Sequence, residues 1–400
     1  MKNGKFSLGI IGLSDRGMYF GGNDFMVAGN CYLTCVCDIL PDLVKGAVEV
    51  FGDSVTGYTD VDEFLKHPDL DAVIVATNDK THAEIAVKVL KAKKHLYLEK
   101  PMAQTIEDCD RIIDAWEGSD AVFLVGLELR YCTLMQDVKK IIDRGDIGRI
   151  IIGTVVDNVS VGGNYYFHGP KRKKEYIKSL ILEKGTHSLD LANWLIGDSP
   201  KKVYASGGLD VFGGTEAENK ECVGCERANS CEYYRNQTTF FVDYGVKTET
   251  TKDMCVYSKA CEVSDNSLVI VDYEHGARIC YMECHFTPEY SREFMFTGDK
   301  GKLTAFYNNE QDFKIMVWKR HEDKPVYYYP KKMNDSGGHG GGDYGIIKEF
   351  SNLVLKNKPC MVGIRGARDS AAIAIAAFES EESGMPVMIP KGKISDLSLI

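Results

Sequence analysis

Two side chains near the middle of the chain could transfer protons together. Glu183 and His187 are four residues apart, so both fall on one face of the helix that the apolar pattern predicts near Leu180 to Leu195. A histidine that titrates near neutral pH suits reversible proton transfer, and a carboxylate beside it can orient the ring. The spacing favours general acid–base chemistry, with a helix histidine of no chemical role as the alternative.

The first predicted strand, Phe6 to Ile11, leads into a turn of the kind that binds a dinucleotide. The sequence from Gly12 to Gly17 follows G-x-G-x-x-G, except that Ser14 stands where the middle glycine would be. Gly12 permits the tight turn and Gly17 permits close packing of helix on strand, while the amides between them face a pyrophosphate. The predicted cofactor contacts in this turn are Gly12, Ser14, Asp15, Arg16 and Gly17.

A carboxylate follows the turn at the separation expected of a dinucleotide site. The second strand ends at Asp38, about 20 residues further on, where it can accept hydrogen bonds from an adenosine ribose. An Asp here repels a 2′-phosphate, so the predicted cofactor is NAD and not NADP. An accidental turn followed by a surface Asp is the alternative.

The elements that must position these residues form a regular alternation in the first third of the chain. Amphipathic segments such as Thr81 to Lys93 separate short apolar, β-rich runs. This pattern predicts stacked βαβ units, and therefore an α/β domain with a doubly wound parallel sheet over residues 1–126. The runs are Phe6 to Ile11, Tyr32 to Cys37, Ala72 to Thr77, His95 to Leu98 and Ala121 to Val125.

The pattern changes after Gly126. A turn at residues 274–276 joins two alternating runs into a hairpin, and most of the chain up to about Lys319 alternates in the same way. Residues 127–400 are predicted to form an α+β domain with a large, mostly antiparallel, open-faced sheet, whose last helices pack back on the first domain. Its clearest elements are Thr133 to Asp143, Ile150 to Val159, Leu268 to Tyr273, Ala277 to Cys284, Tyr344 to Leu355 and Ala367 to Glu379.

Several further motifs occur together with the glycine turn. Glu99-Lys100-Pro101 directly follows a predicted strand, at the carboxyl edge where parallel sheets bind ligands. With Ala76-Thr77-Asn78, His82, Glu183 to Asp190 and Gly298-Asp299-Lys300-Gly301, this tripeptide resembles the glucose–fructose oxidoreductase and inositol dehydrogenase family, written Gfo/Idh/MocA. The resemblance covers nearly the whole chain. It implies that Lys100 is an active-site lysine and that Thr77, Asn78, His82, Glu99 and Lys100 belong to the cofactor site.

The resemblance also implies a reaction. Hydride would move between nicotinamide C4 and a secondary hydroxyl or ketone of a sugar, glycoside or cyclitol, while Lys100 hydrogen-bonds the reacting oxygen and His187 takes its proton. Glu183 would orient this pair, although the family has an Asp at that place. One alternative is an NAD-dependent, redox-neutral glycosidase that oxidises, eliminates and reduces. A non-catalytic NAD-binding partner protein is another, against which the intact Lys100 and His187 argue.

Residues for the substrate side are less sharply indicated. Aromatic rings with polar tips suit a pyranose, and a glycine-rich segment from Ser336 to Asp343 suits a substrate loop. Core or solvent-exposed positions are equally compatible with these residue types. The predicted substrate contacts are Arg130, Tyr131, Tyr166, His168, Lys184 and His339.

A cysteine cluster stands apart from the other motifs. Cys222, Cys225 and Cys231, spaced C-x2-C-x5-C, lie in a polar stretch, unlike the thiols inside apolar strands. In a cytosolic chain this spacing favours a structural zinc site over a disulfide, with Cys255 or Cys261 as the fourth ligand. Unliganded thiols are the alternative, and no metal is predicted at the acid–base pair.

Composition narrows the class of protein. The 400 residues are 44% hydrophobic and 26% charged with a net charge of −10, which is typical of a globular protein and argues against nucleic acid as a partner. Neither a secretion signal nor an apolar run long enough for a membrane helix is recognisable, so the chain is expected in the cytoplasm. The resemblance implies a homodimer or homotetramer that associates through the C-terminal sheet.

Overall fold

A computed structural model describes residues 4–22, 26, 28–235, 253–308, 313–331, 338–356 and 363–392. Ser336 and Gly337, at the start of the glycine-rich segment, lie outside this part of the chain. The described residues form two sheets that share one continuous apolar core.

The first sheet is parallel and has six strands in the order β3-β2-β1-β4-β5-β6. This is the doubly wound order of a Rossmann fold, and it brings the carboxyl ends of β1 and β4 side by side where the order reverses. Helices cover both faces, which explains why the strands are continuous apolar runs. The strands are β1 (Phe6–Ile11), β2 (Cys31–Cys37), β3 (Thr56–Tyr58), β4 (Ala72–Val75), β5 (His95–Leu98) and β6 (Phe123–Val125).

The helices of this half follow the strands. The short edge strand β3 was not predicted, since it has only three residues and none of them is buried. Predicted α4 began one residue too early and ended two residues too late, because its ends lack strong stop signals. The helices are α1 (Asp15–Gly21), α2 (Pro41–Phe51), α3 (Val61–Leu65), α4 (His82–Lys91) and α5 (Ile106–Glu117).

The second sheet has nine strands in the order β14-β13-β12-β11-β7-β10-β9-β8-β15. All neighbours are antiparallel except β7 and β10, so the predicted mostly antiparallel sheet is confirmed. Its strands are β7 (Ile150–Asn158), β8 (Pro200–Gly208), β9 (Asn266–Tyr273), β10 (Arg278–Cys284), β11 (Ser291–Gly298), β12 (Gly301–Tyr307), β13 (Lys314–Lys319), β14 (Val326–Tyr328) and β15 (Val387–Met388).

One face of this sheet is covered and the other is open. Odd-numbered residues of β9 are buried, whereas Leu268 and Ile270 on the opposite face are about half exposed, at 51% and 49%. Three helices pack against the covered face: α6 (Thr133–Asp143), α8 (Thr186–Ile196) and α10 (Ile364–Ser383). The other helices of this part of the chain are α7 (Lys174–Ile177) and α9 (Gly342–Lys356).

The last two helices pack against the first half of the chain. In α9, the ring of Phe350 makes edge contacts with Phe6 of β1 and Tyr97 of β5. In α10, the guanidinium of Arg368 is hydrogen-bonded to the carboxylate of Asp110 in α5. These contacts bring residues near position 340 to the carboxyl edge of the parallel sheet. Among the described helices, none is both long and apolar enough to cross a membrane.

Candidate active site

The glycine turn after β1 approaches the next loop so closely that its glycines cannot carry side chains. Gly12 has φ +92°, and a Cβ there would lie 2.6 Å from the carbonyl oxygen of Ala76. A Cβ on Gly17 would lie 1.8 Å from the carbonyl oxygen of Gly12. Ser14 has an extended backbone with φ −76°, which any residue adopts, so the serine fits where the pattern has glycine. The turn keeps the shape of a dinucleotide cradle.

Asp38 lies at the tip of β2 beside this turn. Its carboxylate accepts hydrogen bonds from the amide of Leu13 at 2.9 Å and from that of Leu40 at 3.0 Å. The side chain is only partly buried, so its remaining lone pairs can accept from ribose hydroxyls.

His82 joins the loop after β4 to the Glu99-Lys100-Pro101 segment after β5. Its Nδ1 lies 2.8 Å from the carbonyl oxygen of Pro101, and its Nε2 lies 3.2 Å from that of Thr77. The ring is fully buried and both nitrogens are used, so the expected direct contact with the cofactor does not fit this placement. His82 instead holds Thr77 and Asn78 in place, and Asn78 caps the following turn through the amide of Lys80.

Lys100 is fixed by Glu183, which comes from the other half of the chain. The ammonium donates to the carbonyl oxygen of Glu183 at 2.6 Å and lies 3.5 Å from its carboxylate. An ammonium has three N–H groups, so this arrangement leaves a third for a ligand. The side chain of Lys100 remains 16% exposed while Glu183 is buried. The predicted association of Lys100 with Glu183 is therefore present.

Two further residues complete what we call the lysine cluster, defined as Lys100, Lys171, Glu183 and Asp79. Lys171 donates to the other carboxylate oxygen of Glu183. Burial alone would raise the pKa of Glu183, but the charges of Lys100 and Lys171 lower it to about 2. Burial and the charge of Glu183 raise the pKa of the buried Asp79, so Asp79 is a neutral acid beside an anion.

A second group of charges surrounds Arg16, and we call it the acid cluster, defined as Arg16, Glu99, Glu128, His339 and Asp343. The guanidinium lies 3.1 Å from a carboxylate oxygen of Glu99 and 3.1 Å from one of Asp343. Arg16 lies in the predicted cofactor loop, where it neutralises these acids. Its guanidinium lies 4.6 Å from the ring centre of Phe20, and this contact fixes its position. The cluster holds three carboxylates against one permanent cation.

His339 faces two carboxylates of the acid cluster. Its Nδ1 lies 3.2 Å from Glu128 Oε1 and 3.2 Å from each carboxylate oxygen of Asp343. Burial alone would lower the pKa of His339, but the charges of Glu128 and Asp343 raise it. Burial raises the pKa of Glu128.

His187 lies between the two clusters. Its Nε2 is 3.7 Å from Glu128 Oε1, and its ring centre is 5.4 Å from that of His339. Burial and the charge of Lys100 hold its pKa well below the ordinary value, so the imidazole is neutral. Within the described part of the chain its buried Nδ1 has no hydrogen-bond partner, so it can bond to a ligand. Ligand atoms of Glu128, His187 and His339 lie within 4.8 Å of one another, close enough to share a proton or a metal ion.

A tyrosine that the sequence did not reveal neighbours Lys184. The ammonium of Lys184 lies 3.0 Å from the hydroxyl of Tyr290, which also accepts from Arg292 at 3.3 Å. Burial alone would raise the pKa of Tyr290, but Arg292 and Lys184 lower it to about 7. Tyr166, predicted as a substrate contact, is buried with its ring 5.8 Å from the ammonium of Lys171.

Two predicted substrate contacts have other positions. Arg130 is 1% exposed and forms a two-pronged ion pair with Asp190, with N–O distances of 2.7 and 2.6 Å. This buried pair occupies the guanidinium, so Arg130 holds helix α8 and does not face a substrate. His168 is 1% exposed, with its Nδ1 2.8 Å from the carbonyl oxygen of Met254 and 3.7 Å from Cys222 Sγ. It belongs to the surroundings of the cysteines. Tyr131, a third predicted contact, packs against the start of α9. A Cβ added to Gly345 would lie 2.5 Å from the Cβ of Tyr131.

Four members of the clusters were missed by sequence reasoning: Asp79, Lys171, Glu128 and Asp343. Each is an ordinary charged residue in a short helical turn or, for Asp343, in the first turn of α9, and nothing in its local pattern marks it as part of a site. Position offers a weak signal for two of them, because Asp79 directly follows Asn78 and Glu128 lies three residues after β6. The other two reach the site through tertiary folding.

Comparison with known families agrees with this geometry. Residues 6–127 match the model described as "Oxidoreductase family, NAD-binding Rossmann fold", and residues 139–389 match the one described as "Oxidoreductase family, C-terminal alpha/beta domain". The chain belongs to the Gfo/Idh/MocA oxidoreductase family. Residues 6–127 thus form an NAD-binding Rossmann domain, as predicted.

Individual relatives are more distant. YteT of Bacillus subtilis (strain 168) is 25% identical over 359 residues, covering 82% of this chain and 83% of the relative. The myo-inositol 2-dehydrogenase of Thermotoga maritima is 25% identical over 213 residues, covering 51% of this chain and 59% of the relative. A levoglucosan dehydrogenase solved with NADH has the same fold, with a TM-score of 0.75 at 18% identity over 97% of this chain and 100% of that one.

Proposed function

We propose that this protein is an NAD-dependent dehydrogenase that oxidises a secondary hydroxyl of a sugar, glycoside or cyclitol, or reduces the matching ketone. One observation carries the proposal: a lysine ammonium with a spare N–H lies near a buried, neutral histidine whose Nδ1 has no partner among the described residues. Both lie at the carboxyl edge of an NAD-binding fold, where such sheets bind ligands. The names of the inositol and levoglucosan dehydrogenases support the polyol or sugar class.

The residues present fit NAD. The cradle at Gly12 is so narrow that a single Cβ would fill it, and Asp38 offers a partly exposed carboxylate at the tip of β2. We assign the pyrophosphate side to the turn from Gly12 to Gly17 and the ribose side to Asp38. Thr77, Asn78 and Glu99 would border the nicotinamide side. When bound, NAD supplies the acceptor for the hydride of the carbinol carbon.

The two clusters determine which group accepts the proton of the hydroxyl. Lys100 donates its spare N–H to the reacting oxygen and stabilises negative charge there as the C–H bond breaks. His187, neutral because burial and Lys100 lower its pKa, accepts the hydroxyl proton. Glu183 holds Lys100 by its backbone carbonyl and by its carboxylate, so it is a positioning residue in this scheme. The ketone direction reverses these proton movements.

Substrate contacts beyond the reacting carbon are assigned to one side of the site. These contacts are His339 of the acid cluster, Tyr166 beside Lys171, and Lys184, to which Tyr290 with its lowered pKa is hydrogen-bonded. Tyr165 is 43% exposed above Lys171 and presents a ring face of the kind that stacks on a pyranose.

The first test is a substrate screen of the purified chain with NAD and a panel of free sugars, glycosides, anhydrosugars and inositols. We expect NADH to accumulate with at least one polyol and a ketone to appear by chromatography. The same screen with Lys100→Met is the control for contaminating activity. Release of an aglycone without NADH would replace the proposal by the redox-neutral glycosidase. NAD binding with neither product across the panel would favour the non-catalytic partner.

We also propose that residues 1–126 and 127–400 act as cofactor and catalytic domains and that the chain forms a homodimer or homotetramer through the open face of its nine-stranded sheet. Ile152, Tyr204, Leu268 and Ile270 expose 41–56% of their surface on this sheet, and Tyr204 and Ile270 are paired neighbours. Light scattering should give an oligomer for the native chain and a monomer for Ile270→Glu. The matched variant Ile39→Glu, at a site 82% exposed in the first domain, should stay oligomeric.

A further inference from the structure

The predicted zinc ligands line one small cavity between β8 and β9, but the structure does not bring their sulfur atoms to the spacing of a metal site. A zinc ion binds each thiolate at about 2.3 Å and therefore places the sulfurs about 3.8 Å apart. In the part of the chain that the structure describes, no three of the cysteine sulfurs around this cavity lie within 4.8 Å of one another. Zinc at this place remains a prediction from sequence spacing. The lining cysteines are Cys222, Cys225, Cys231 and Cys255.

A different group of side chains, at the edge of the active site, brings two cations to one phenol. The ammonium of Lys184 lies 3.0 Å from the hydroxyl oxygen of Tyr290, which also accepts a hydrogen bond from Arg292 at 3.3 Å. Lys184 and Tyr290 are partly exposed, whereas Arg292, in strand β11, is 1% exposed. A ligand can therefore reach the ammonium and the phenol, while the guanidinium supports the phenol from behind.

This group adjoins the residues that we assign to the reacting oxygen. Lys184 is next in the chain to the residue whose carbonyl oxygen accepts from the ammonium of Lys100. Arg292 donates to the hydroxyl of Ser188 at 2.8 Å, and Ser188 directly follows His187. A substrate held by Lys100 and His187 therefore has its neighbouring substituents near Lys184 and the phenol.

The positive charges of this group are not balanced. Among the described residues, no carboxylate forms an ion pair with Lys184. The nearest carboxylate to Arg292 is that of Asp157, at 3.7 Å, and it already accepts from the hydroxyls of Ser188 and Tyr281. Within the same part of the chain, the buried Nε of Arg292 has no hydrogen-bond partner. Two cations thus share one distant carboxylate, which leaves an excess of one positive charge.

We propose that Lys184 and Tyr290, supported by Arg292, bind a carboxylate of the substrate, so that the preferred substrate is a sugar acid such as a uronate or an aldonate. The inference rests on the proposed function, because it places the carboxylate on the molecule whose hydroxyl is oxidised. Lys184 uses one of its three N–H groups on the phenol, and two remain for a carboxylate. The phenol accepts from both cations, so its own O–H can donate to the same carboxylate. One negative charge balances the excess, which favours a carboxylate over a doubly charged phosphate.

The protonation of the phenol agrees with this charge count. Burial alone would raise the pKa of Tyr290, but the charges of Arg292 and Lys184 lower it to about 7. Near neutral pH the phenol therefore supplies part of the missing negative charge itself. A bound carboxylate would add a negative charge beside it and raise its pKa again. Binding of a sugar acid slightly above pH 7 should therefore take up a proton.

The test is isothermal titration calorimetry of the full chain, saturated with NADH, with D-glucuronate, D-galacturonate, the uncharged amides of both acids and the parent sugars. We expect at least one acid to bind about tenfold or more tightly than its amide, as charge-assisted hydrogen bonds require. Lys184→Met should remove most of this preference and leave the affinity for the neutral sugars within a few-fold. The matched variant Lys201→Met, at an exposed position in β8, should keep the preference. Equal affinities of each acid and its amide for the native chain would overturn the proposal.

Proton uptake gives a second reading of the same titration. The heat of binding an acid should depend on the ionisation enthalpy of the buffer, and Tyr290→Phe should remove that dependence. If the variants fail to fold, the comparison of acid with amide on the native chain still decides the matter.

Binding does not require turnover, so the two proposals can fail separately. An acid that binds in preference to its amide but is not oxidised would support the carboxylate site and count against the dehydrogenase. NADH formation from a neutral sugar, when no acid binds more tightly than its amide, would overturn the carboxylate site alone.

Discussion

Two buried glutamates in one site have opposite protonation behaviour. Glu183 in the lysine cluster faces two ammonium groups, and its pKa is lowered to about 2. Glu128 in the acid cluster is equally buried, and there burial raises the pKa, because the lowering by the charges of His339 and Arg16 is opposed by Asp343 and Glu99. Burial is the same in both places, so the sign is set by the neighbours.

The histidines show the same contrast. The pKa of His187, nearer to Lys100, is lowered, while that of His339, between Glu128 and Asp343, is raised. A site that must accept one proton and retain another can obtain both behaviours from one residue type. The comparison teaches that the charge of Lys100 in the lysine cluster and that of His339 in the acid cluster both favour the neutral form of the base, His187.

The largest effect should come from breaking the base side itself. Lys100→Met and His187→Ala should each lower turnover by about a thousandfold, because each removes a group that touches the reacting oxygen. Binding of NAD, followed by fluorescence titration, should stay within a few-fold. The exposed residues Lys80→Met and His275→Ala are matched controls and should keep full activity. Full activity in both site variants would end the assignment.

Stability should distinguish the two glutamates next. Glu183→Gln should lower the free energy of unfolding by roughly 3 kcal/mol at pH 7. The reason is that the pKa of the Glu183 carboxyl is 4.5 in the unfolded chain and about 2 in the folded one. A lowered pKa contributes stability above pH 4.5, and that contribution is lost as the pH falls toward 2. The difference between the variant and the native chain should therefore shrink over this range in urea titrations.

Glu128→Gln is the matched variant in the acid cluster. Since the pKa of Glu128 is raised, its ionisation is already unfavourable, and we expect a change below about 1 kcal/mol at pH 7. Equal losses for the two variants would show that the clusters do not differ as described.

The pH profile of turnover should shift by a smaller amount. The native rate should stay high below pH 6.5, because the pKa of His187 is lowered and the base remains neutral there. The cation on His339 contributes to that lowering, so His339→Gln should move the acid limb upward by about one unit or less. Rates of kcat against pH measure this directly. An acid limb that moves downward would contradict the sign.

Asp79→Asn should have the smallest effect. If Asp79 is a neutral acid, an amide can take its place beside Glu183, and both stability and turnover should change by less than about 1 kcal/mol. Asp79→Lys, which adds a charge at the same buried place, should be clearly harmful. A large loss in the Asn variant would show that Asp79 is ionised in the native chain.

Much of the architecture could be predicted from the sequence, because its signals are local. The helix Thr133–Asp143 and the hairpin of β9 and β10 were placed within a residue or two by hydrophobic period and turn residues. The same holds for Gly12 and Gly17, whose close approaches only glycine permits. Family motifs indicated Lys100, Glu183 and His187.

The rest of the site depends on distant partners. Arg130 has the residue type of a substrate contact, and only the position of Asp190, 60 residues away, shows that it is a buried ion pair. Lys171 and Asp343 acquire their roles from Glu183 and Arg16, which no local pattern connects to them. Charged residues of this kind are usually exposed, so a single sequence gives no reason to bury them.

The acid cluster has a consequence for the order in which the chain is made. Arg16 leaves the ribosome 327 residues before Asp343, its partner at 3.1 Å. The parallel sheet is complete at β6 and can fold as the rest is still being synthesised, since domains generally fold as units from the N-terminus. The nascent protein can therefore hold its cofactor cradle long before it can do chemistry. The acid cluster is complete only when His339 and Asp343 have been synthesised and have docked on Arg16.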